Sequence, residues 1–233
     1  MRIAGVPNDL RNSLPGELVV TLSTELRRAN AEAYPPGARD YTAEFHFHWR
    51  RDFESDNLDK AEKTILALAK QAGVDVGDDV VPVRAGYAHI VVVDLLDNSL
   101  YDALDAREAD LEYLASVLLT DNEIDEELDS SLAGIGTYAI LVNSVYVEPP
   151  WRGRAFGLLG TGLALAELRR GCSFAALDAV EPGATDDAER ARSHQRLRQY
   201  WQRLGFSPFR DRVLTLDLGT TQFDEAMREL GAI

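Results

Sequence analysis

The stretch "VNSVYVEPPWRGRAFG", Val142 to Gly157, starts as an apolar, β-branched run, halts at Pro149 and Pro150, and resumes as a turn carrying Arg152, Gly153, Arg154 and Gly157. The Val and Tyr residues before the prolines favour an extended strand, and proline cannot continue a sheet ladder. The apolar run after the turn reads as a helix from about Ala155 to Arg170, stopped by Gly171. A strand that ends at Val147 and a helix that begins near Ala155 leave the amides between them without intrahelical partners. Those amides lie at the positive end of the helix dipole, where an anion with several oxygens, above all a pyrophosphate, is the natural guest. Gly153 and Gly157 would let its oxygens approach the main chain, and Arg152 and Arg154 would offset its charge. A plain glycine-containing strand-to-helix turn has the same spacing.

Working outward, "TYAILVNSVYV" is the strand that feeds this turn, and "SFAALDAV" is the strand after the helix. A helix from about Ala188 to Leu204, stopped by Gly205, leads to the strand "RVLTLDL" and the short helix "TQFDEAMREL", opened by a Thr221/Asp224 capping pair. In the front half, "GELVVTLSTEL", "YTAEFHFHWRRD" and "YAHIVVVDLL" read as strands. "NLDKAEKTILALAKQAG" reads as a helix capped by Asp56 or Asn57, and "NSLYDALDAREADLEYLASVLL" as one amphipathic helix bearing Leu100, Leu104, Leu111, Leu114 and Leu118. Alternation of strand and helix in the back half favours an α/β layered sheet. No repeat or long linker divides residues 1–233, which read as a single domain.

Two other phosphate signatures are excluded. No Lys-Ser or Lys-Thr pair follows a GxxxxG spacing, so the P-loop is absent. "GLLGTG", with Gly157, Gly160 and Gly162, reverses the dinucleotide fingerprint and lies inside the helix, where close packing explains it.

A formal net charge of −15 repels nucleic-acid phosphates and anionic lipid, so neither is expected as a partner. No apolar run reaches the ~20 residues that cross a bilayer, and a cytoplasmic protein is the expectation. The single cysteine, Cys172, can form neither an internal disulfide nor a thiolate cluster. Acids dominate from Asp102 to Asp129, and arginines recur from Arg152 to Arg212. Solvated surface of both signs accounts for this, as would an anionic ligand on one side and a cationic one on the other.

The run "VYVEPPWRGRAFG" resembles the acyl-CoA-binding motif of the GCN5-related N-acetyltransferases, in which a strand ending Val-x-Pro precedes Arg/Gln-x-x-Gly-x-Gly/Ala at the start of a helix. Arg152, Ala155 and Gly157 fill its defined positions, with Ala155 where glycine is usual. "HQRLRQYWQRLGF", His194 to Phe206, is similar to the family's Asn-x-x-Ala-x-x-Leu-Tyr-x-x-x-Gly-Phe helix and follows one strand and one loop later. The likeness covers about Thr137 to Leu218. It implies a mixed, mostly antiparallel central sheet flanked by helices. One departure is an acidic helical insertion before the fourth strand, where the family has a short turn.

The resemblance implies an acetyl-CoA-dependent N-acetyltransferase acting on a primary amine of a small molecule or protein, with a non-catalytic acyl-CoA-binding sensor as the alternative. It places the pantetheine arm along Val145, Tyr146 and Val147, and the pyrophosphate on Arg152, Gly153, Arg154, Ala155, Phe156 and Gly157. His194 stands where the family has a cofactor-touching Asn. Trp201 stands where it has a proton-donating Tyr, and an indole N–H is no usable acid near neutral pH. Tyr200, next to it, is the candidate acid, with packing beside Leu197 and Leu204 as its other reading. Glu148 is the candidate base, and a solvated loop carboxylate is the simpler reading. Glu44, His46 and His48 share one strand face, as an acceptor wall, half a metal site, or a polar sheet face; no third ligand is apparent, and no metal is expected. The acidic composition suggests a cationic acceptor.

Overall fold

A computed structural model describes residues 2–5, 16–24, 37–50, 60–71, 73–75, 80–180 and 187–231. The chain runs β1 (Arg2–Gly5), β2 (Gly16–Thr24), β3 (Ala38–Arg50), α1 (Lys60–Gln71), β4 (Val80–Asp94), α2 (Leu100–Asp105), α3 (Ala109–Leu118), β5 (Leu119–Thr120), β6 (Glu123–Ile124), α4 (Glu126–Ser131) and β7 (Tyr138–Val147). It continues with α5 (Phe156–Leu168), β8 (Cys172–Asp178), α6 (Asp187–Gln202), β9 (Ser207–Pro208), β10 (Val213–Asp217) and α7 (Gln222–Glu229). The cap expected at Asp56 or Asn57 lies outside the described residues.

The sheet has eight strands in the order β1-β2-β3-β4-β7-β8-β10-β9, with β5 and β6 forming a separate ribbon. Every pairing in the large sheet is antiparallel except β7 with β8, which α5 connects. A parallel pair needs such a crossover because the chain must return to the same end of the sheet. The expectation of a mixed, mostly antiparallel sheet flanked by helices therefore holds.

The two sheet faces bury different helices. One carries Phe45, Phe47, Ala88, Ile90, Ile140 and Val142 against α5, with Ile65 and Ala69 of α1, Trp201 of α6 and Leu204 just beyond it, and Phe223 and Met227 of α7. α5 is buried all round from Phe156 to Leu165, as an apolar helix inside a core should be. Its glycines are packing positions: a Cβ on Gly160 would lie 2.6 Å from the Phe45 ring, and one on Gly162 2.5 Å from Met227 Sδ.

The other face carries Val91, Val93, Ala139, Leu141, Phe174 and Ala176. It is covered by residues 95–137, the acidic segment between the neighbouring strands β4 and β7, through Leu100, Leu104, Leu111, Leu114, Leu118 and Leu128. This segment between neighbouring strands thus supplies one side of the core. Its helical part is two helices, not one: the chain leaves helical geometry at Glu108 (φ −151°, ψ 147°), which precedes α3. The leucine spacing spans this break because both helices turn apolar faces to the same sheet. At the C-terminal end, Thr221 precedes α7 but makes no side-chain cap bond; its hydroxyl donates to Glu225 Oε1 at 2.9 Å, and Asp224 instead meets Arg169 at 2.7 Å. Among the described residues, no helix is long and apolar enough to cross a membrane.

Candidate functional site

The junction of β7, α5 and α6 gathers most of the residues singled out by sequence. β7 pairs in parallel with β8 from Tyr138 to Val142, the last partners being Val142 and Leu177, although β7 itself runs on to Val147. At the point of divergence β7 carries a bulge: Val142 faces Ile90 and Ser144 faces His89, leaving Asn143 as the extra residue. A bulge re-aims the strand that contains it. From Asn143 to Val147 the β8-facing edge of β7 is without ladder partners among the described residues, so its main-chain groups can receive an extended ligand as a further strand would.

The far end of this edge meets the turn. Glu148 N donates to Ala85 O at 2.9 Å, a 3₁₀ turn spans Pro149–Trp151, and Trp151 is buried against Phe47 and Phe156 at ring distances of 5.3 and 5.1 Å. Arg152 folds back, donating from Nε to Val147 O at 2.9 Å with its guanidinium 5.6 Å from the Tyr146 ring centre. Gly153 (φ 75°) and Ala155 (φ 59°) both take left-handed backbone conformations. For Ala155 this costs roughly 1 kcal/mol, the physical reason a glycine would suit the position. Strain of this kind is retained where the surroundings fix it, and Ala155 is buried.

Among the described residues, the amides of Gly153, Arg154, Ala155, Phe156 and Gly157 donate to no carbonyl. The next amide, that of Leu158, donates to Tyr200 Oη at 3.0 Å. The hydroxyl of Tyr200 is thereby pinned at the start of α5, with its own proton available to another acceptor. A Cβ on Gly157 would lie 2.7 Å from that hydroxyl and 3.1 Å from Val147 Cγ2, so Gly157 is needed to seat Tyr200 against β7. Burial pushes the Tyr200 phenol above its ordinary range, the Leu158 amide opposing, and the side chain stays protonated throughout the neutral range.

The remaining candidates fall into two groups. Val145 and Val147 pack toward the α5 core, while Tyr146 lies on the opposite face and stacks on Tyr87 at 5.5 Å. Trp201 is buried against Phe206 and Tyr200, at 5.9 and 5.3 Å. The position expected to carry an acid is thus core, and the neighbouring Tyr200 presents the hydroxyl. His194 sits six residues before Tyr200 on α6, about 9 Å along the helix axis, and its Nε2 is buried without a partner among the described residues. Glu148 lies at the far end of β7, with Tyr146 Oη 3.4 Å from Oε2. Five residues separate it from the bulge, about 16 Å of extended chain.

Glu44 and His46 project from β3 on the face away from Phe45 and Phe47, opposite Tyr87 and Arg84 of β4. Burial lowers the His46 pKa, with Glu44 opposing and Arg84 adding to the shift. Among the described residues no group of three His, Cys, Asp or Glu is placed to hold a metal. Cys172 is buried, and its thiol is pushed up to about 11 by desolvation, which leaves it a poor nucleophile.

Sequence reasoning missed the Asn143 bulge. Its signal was the one amide residue interrupting "AILVNSVYV", which alternation alone treats as an ordinary strand position. No family model matches the chain, and no curated protein or solved structure matches it.

Proposed function

We propose that this chain is an acetyl-CoA-dependent N-acetyltransferase of the GCN5-related type, acting on a primary amine. The observation that carries the reading is the divergence of β7 from β8 at a bulge, with the left-handed turn Arg152–Ala155 and the start of α5 at the far end of the exposed edge. An elongated ligand with an amide-bearing arm and a pyrophosphate fits this arrangement. The arm would pair with the edge of β7, and the phosphates would take the amides from Gly153 to Gly157.

Transfer needs the amine nitrogen, once deprotonated, to attack the thioester carbonyl, with the oxyanion held by a strand N–H and the departing thiolate protonated. The Tyr200 hydroxyl, fixed by the Leu158 amide beside Val145 and Val147, is the donor. In calorimetry the wild-type chain should bind acetyl-CoA, and Arg154→Glu, which places a like charge at the phosphates, should bind at least tenfold more weakly, about 1.4 kcal/mol. Undiminished affinity in the folded variant would remove the turn from the cofactor site. Tyr200→Phe should lower kcat about 10²-fold with acetyl-CoA affinity almost unchanged.

A second reading, a non-catalytic acyl-CoA binder, is favoured by the burial of Trp201 at the family's acid position. Acetyl-CoA binding without release of free CoA in the presence of spermidine, a lysine peptide or an aminoglycoside would select it.

A further inference from the structure

Beyond Val142 and Leu177, the next residues on the two diverging strands are Asn143 and Asp178, where β8 ends. Along β8, Phe174 and Ala176 face the inserted segment while Ala175 and Leu177 face α5, so Asp178 lies on the insertion's side of the sheet. Its carboxylate is 12% exposed. One oxygen, Oδ2, is ion-paired with Arg212 Nη2 at 2.9 Å; the other, Oδ1, is buried and has no partner among the described residues. Across the divergence, Asn143 Nδ2 donates to Glu108 Oε2 at 2.6 Å, and Asn143 Oδ1 is likewise buried and unpartnered.

The first turn of α3 closes this place. Glu108 immediately precedes the helix, Asp110 stands close enough to act on the charge of Asp178, and the Tyr113 ring supports the Arg212 guanidinium at 4.1 Å. Asp178 thus has Arg212 on one side and the charge of Asp110 within reach, Glu108 holds Asn143, and both sides of the divergence offer a buried oxygen with unused acceptor capacity. A buried acceptor left without its hydrogen bond is destabilising, and a ligand bringing both positive charge and several N–H donors would relieve it. A primary ammonium, with three donors, is such a ligand.

We propose that the start of α3 and the diverging ends of β7 and β8 form the acceptor site for a cationic primary amine, with Asp178 as the base that takes its proton. This rests on the acyl-CoA reading above, under which the thioester lies along the same divergence. The ammonium transfers one proton to Asp178 Oδ1. The freed nitrogen lone pair forms the C–N bond to the thioester carbonyl carbon, and the C–S bond breaks with its electron pair leaving on sulfur. As the amide forms, the second nitrogen proton replaces the one that the Tyr200 hydroxyl gives to the departing sulfur. The thiolate is protonated, and Asp178 returns its proton to solvent, so acetyl-CoA and an ammonium yield an acetamide, free CoA and one proton. Burial, with Asp110 adding and Arg212 opposing, raises the Asp178 carboxyl to about 6, which leaves it ionised at neutral pH yet more basic than an ordinary aspartate.

The test uses the full chain with acetyl-CoA and three probes: spermidine, a lysine-containing tripeptide amide and kanamycin. Calorimetry reads acetyl-CoA affinity, and release of free CoA reads turnover. The expected result is turnover of at least one probe, a loss of about 10²-fold in kcat/KM in Asp178→Asn, and acetyl-CoA affinity within about twofold of wild type. Asp110→Asn, a change at an exposed position that leaves folding intact, should raise the KM for the amine several-fold without affecting acetyl-CoA affinity. Undiminished turnover in Asp178→Asn overturns the proposal, as does an unchanged amine KM in Asp110→Asn should Asp178→Asn fail to fold. Acetyl-CoA binding with none of the three amines consumed also overturns it while leaving the cofactor reading standing. Absence of acetyl-CoA binding by the wild-type chain removes that reading, and the acceptor site with it.

Discussion

Arg210 and Arg212 leave the same short connection between β9 and β10, two residues apart, and each meets an aspartate, yet the two pairs are opposite in kind. Arg210 grips Asp125 with two bonds, Nη1 to Oδ2 at 2.6 Å and Nη2 to Oδ1 at 2.9 Å, and reaches Glu127 at 2.6 Å. Asp125 also accepts from the Glu127 amide at 3.0 Å, capping α4. Both of its oxygens are satisfied, and the Arg210 hydrogen bond holds its carboxyl below the ordinary range. Arg212 makes one contact to Asp178, and the other oxygen is left without a partner, so desolvation wins and the carboxyl moves up to about 6. Pairing with arginine does not by itself decide which way an aspartate shifts. The balance of burial against the hydrogen bonds made to the charged form does.

The first pair clasps the inserted segment to the edge of the sheet, and breaking it should have the largest effect on stability. Asp125→Asn loses the bidentate partner of Arg210 and weakens the cap of α4, and the melting temperature at pH 7 should fall by several degrees. The sign with pH follows from the lowered carboxyl. Its stabilisation is fully present above the unfolded value near 3.8 and is lost as pH falls through the lower folded value. The deficit of the variant should therefore shrink as thermal scans move below about pH 4, and a deficit constant from pH 7 to pH 3 would show that the clasp works through shape and not charge.

The second pair should respond in the opposite sense and more weakly. The folded carboxyl of Asp178 is raised, so its contribution is present below about 3.8 and is lost as pH rises through about 6. Asp178→Asn is free of this loss. Its stability relative to wild type should rise between pH 4 and pH 7, by about 1–2 kcal/mol once solvent screening by the partly exposed Arg212 is allowed for. Denaturant melts at four or five pH values would read this. A relative stability that falls over the same window would mean that Asp178 is held as firmly as Asp125, and the contrast between the pairs would fail.

This contrast also marks where the sequence stops being informative. The strand, turn and helix around Val142–Gly157 were legible because each boundary has a local cause: prolines end β7, and unpaired amides begin α5. The buried face of β3 was legible from the alternation of Phe45, Phe47 and Trp49, and the glycines of α5 from their place inside a helix. Tyr200 was named as an acid only through a resemblance, and its bond to Leu158 links residues that periodicity cannot relate. Asp178 was invisible: in "SFAALDAV" it reads as the polar end of a buried strand, and its partners arrive from Arg212 on one side and the inserted α3 on the other. The break between α2 and α3 was missed for the converse reason. Apolar spacing records which side is buried, and two helices buried on the same side produce the same spacing as one.

The smallest effect is expected at Glu108, and it separates geometry from charge in the region of Asp178. Glu108 is exposed and holds Asn143 through one hydrogen bond, Nδ2 to Oε2 at 2.6 Å. Glu108→Gln keeps a carbonyl oxygen able to accept that bond and removes only the charge. An exposed charge contributes little to folding, so the melting temperature should move by about 1 °C or less. If Asn143 is held at the bulge by that one acceptor, Glu108→Ala should do more than Glu108→Gln, because it leaves both the amide and the oxygen of Asn143 unmet. The pair of variants is read by thermal shift at pH 7 in low and high salt. A Gln variant as stable as wild type at both salts, with the Ala variant lower at both, assigns Glu108 to positioning Asn143. Equal losses in the two variants that vanish in high salt would assign it instead to the local field, and the bulge would then hold its shape without Glu108.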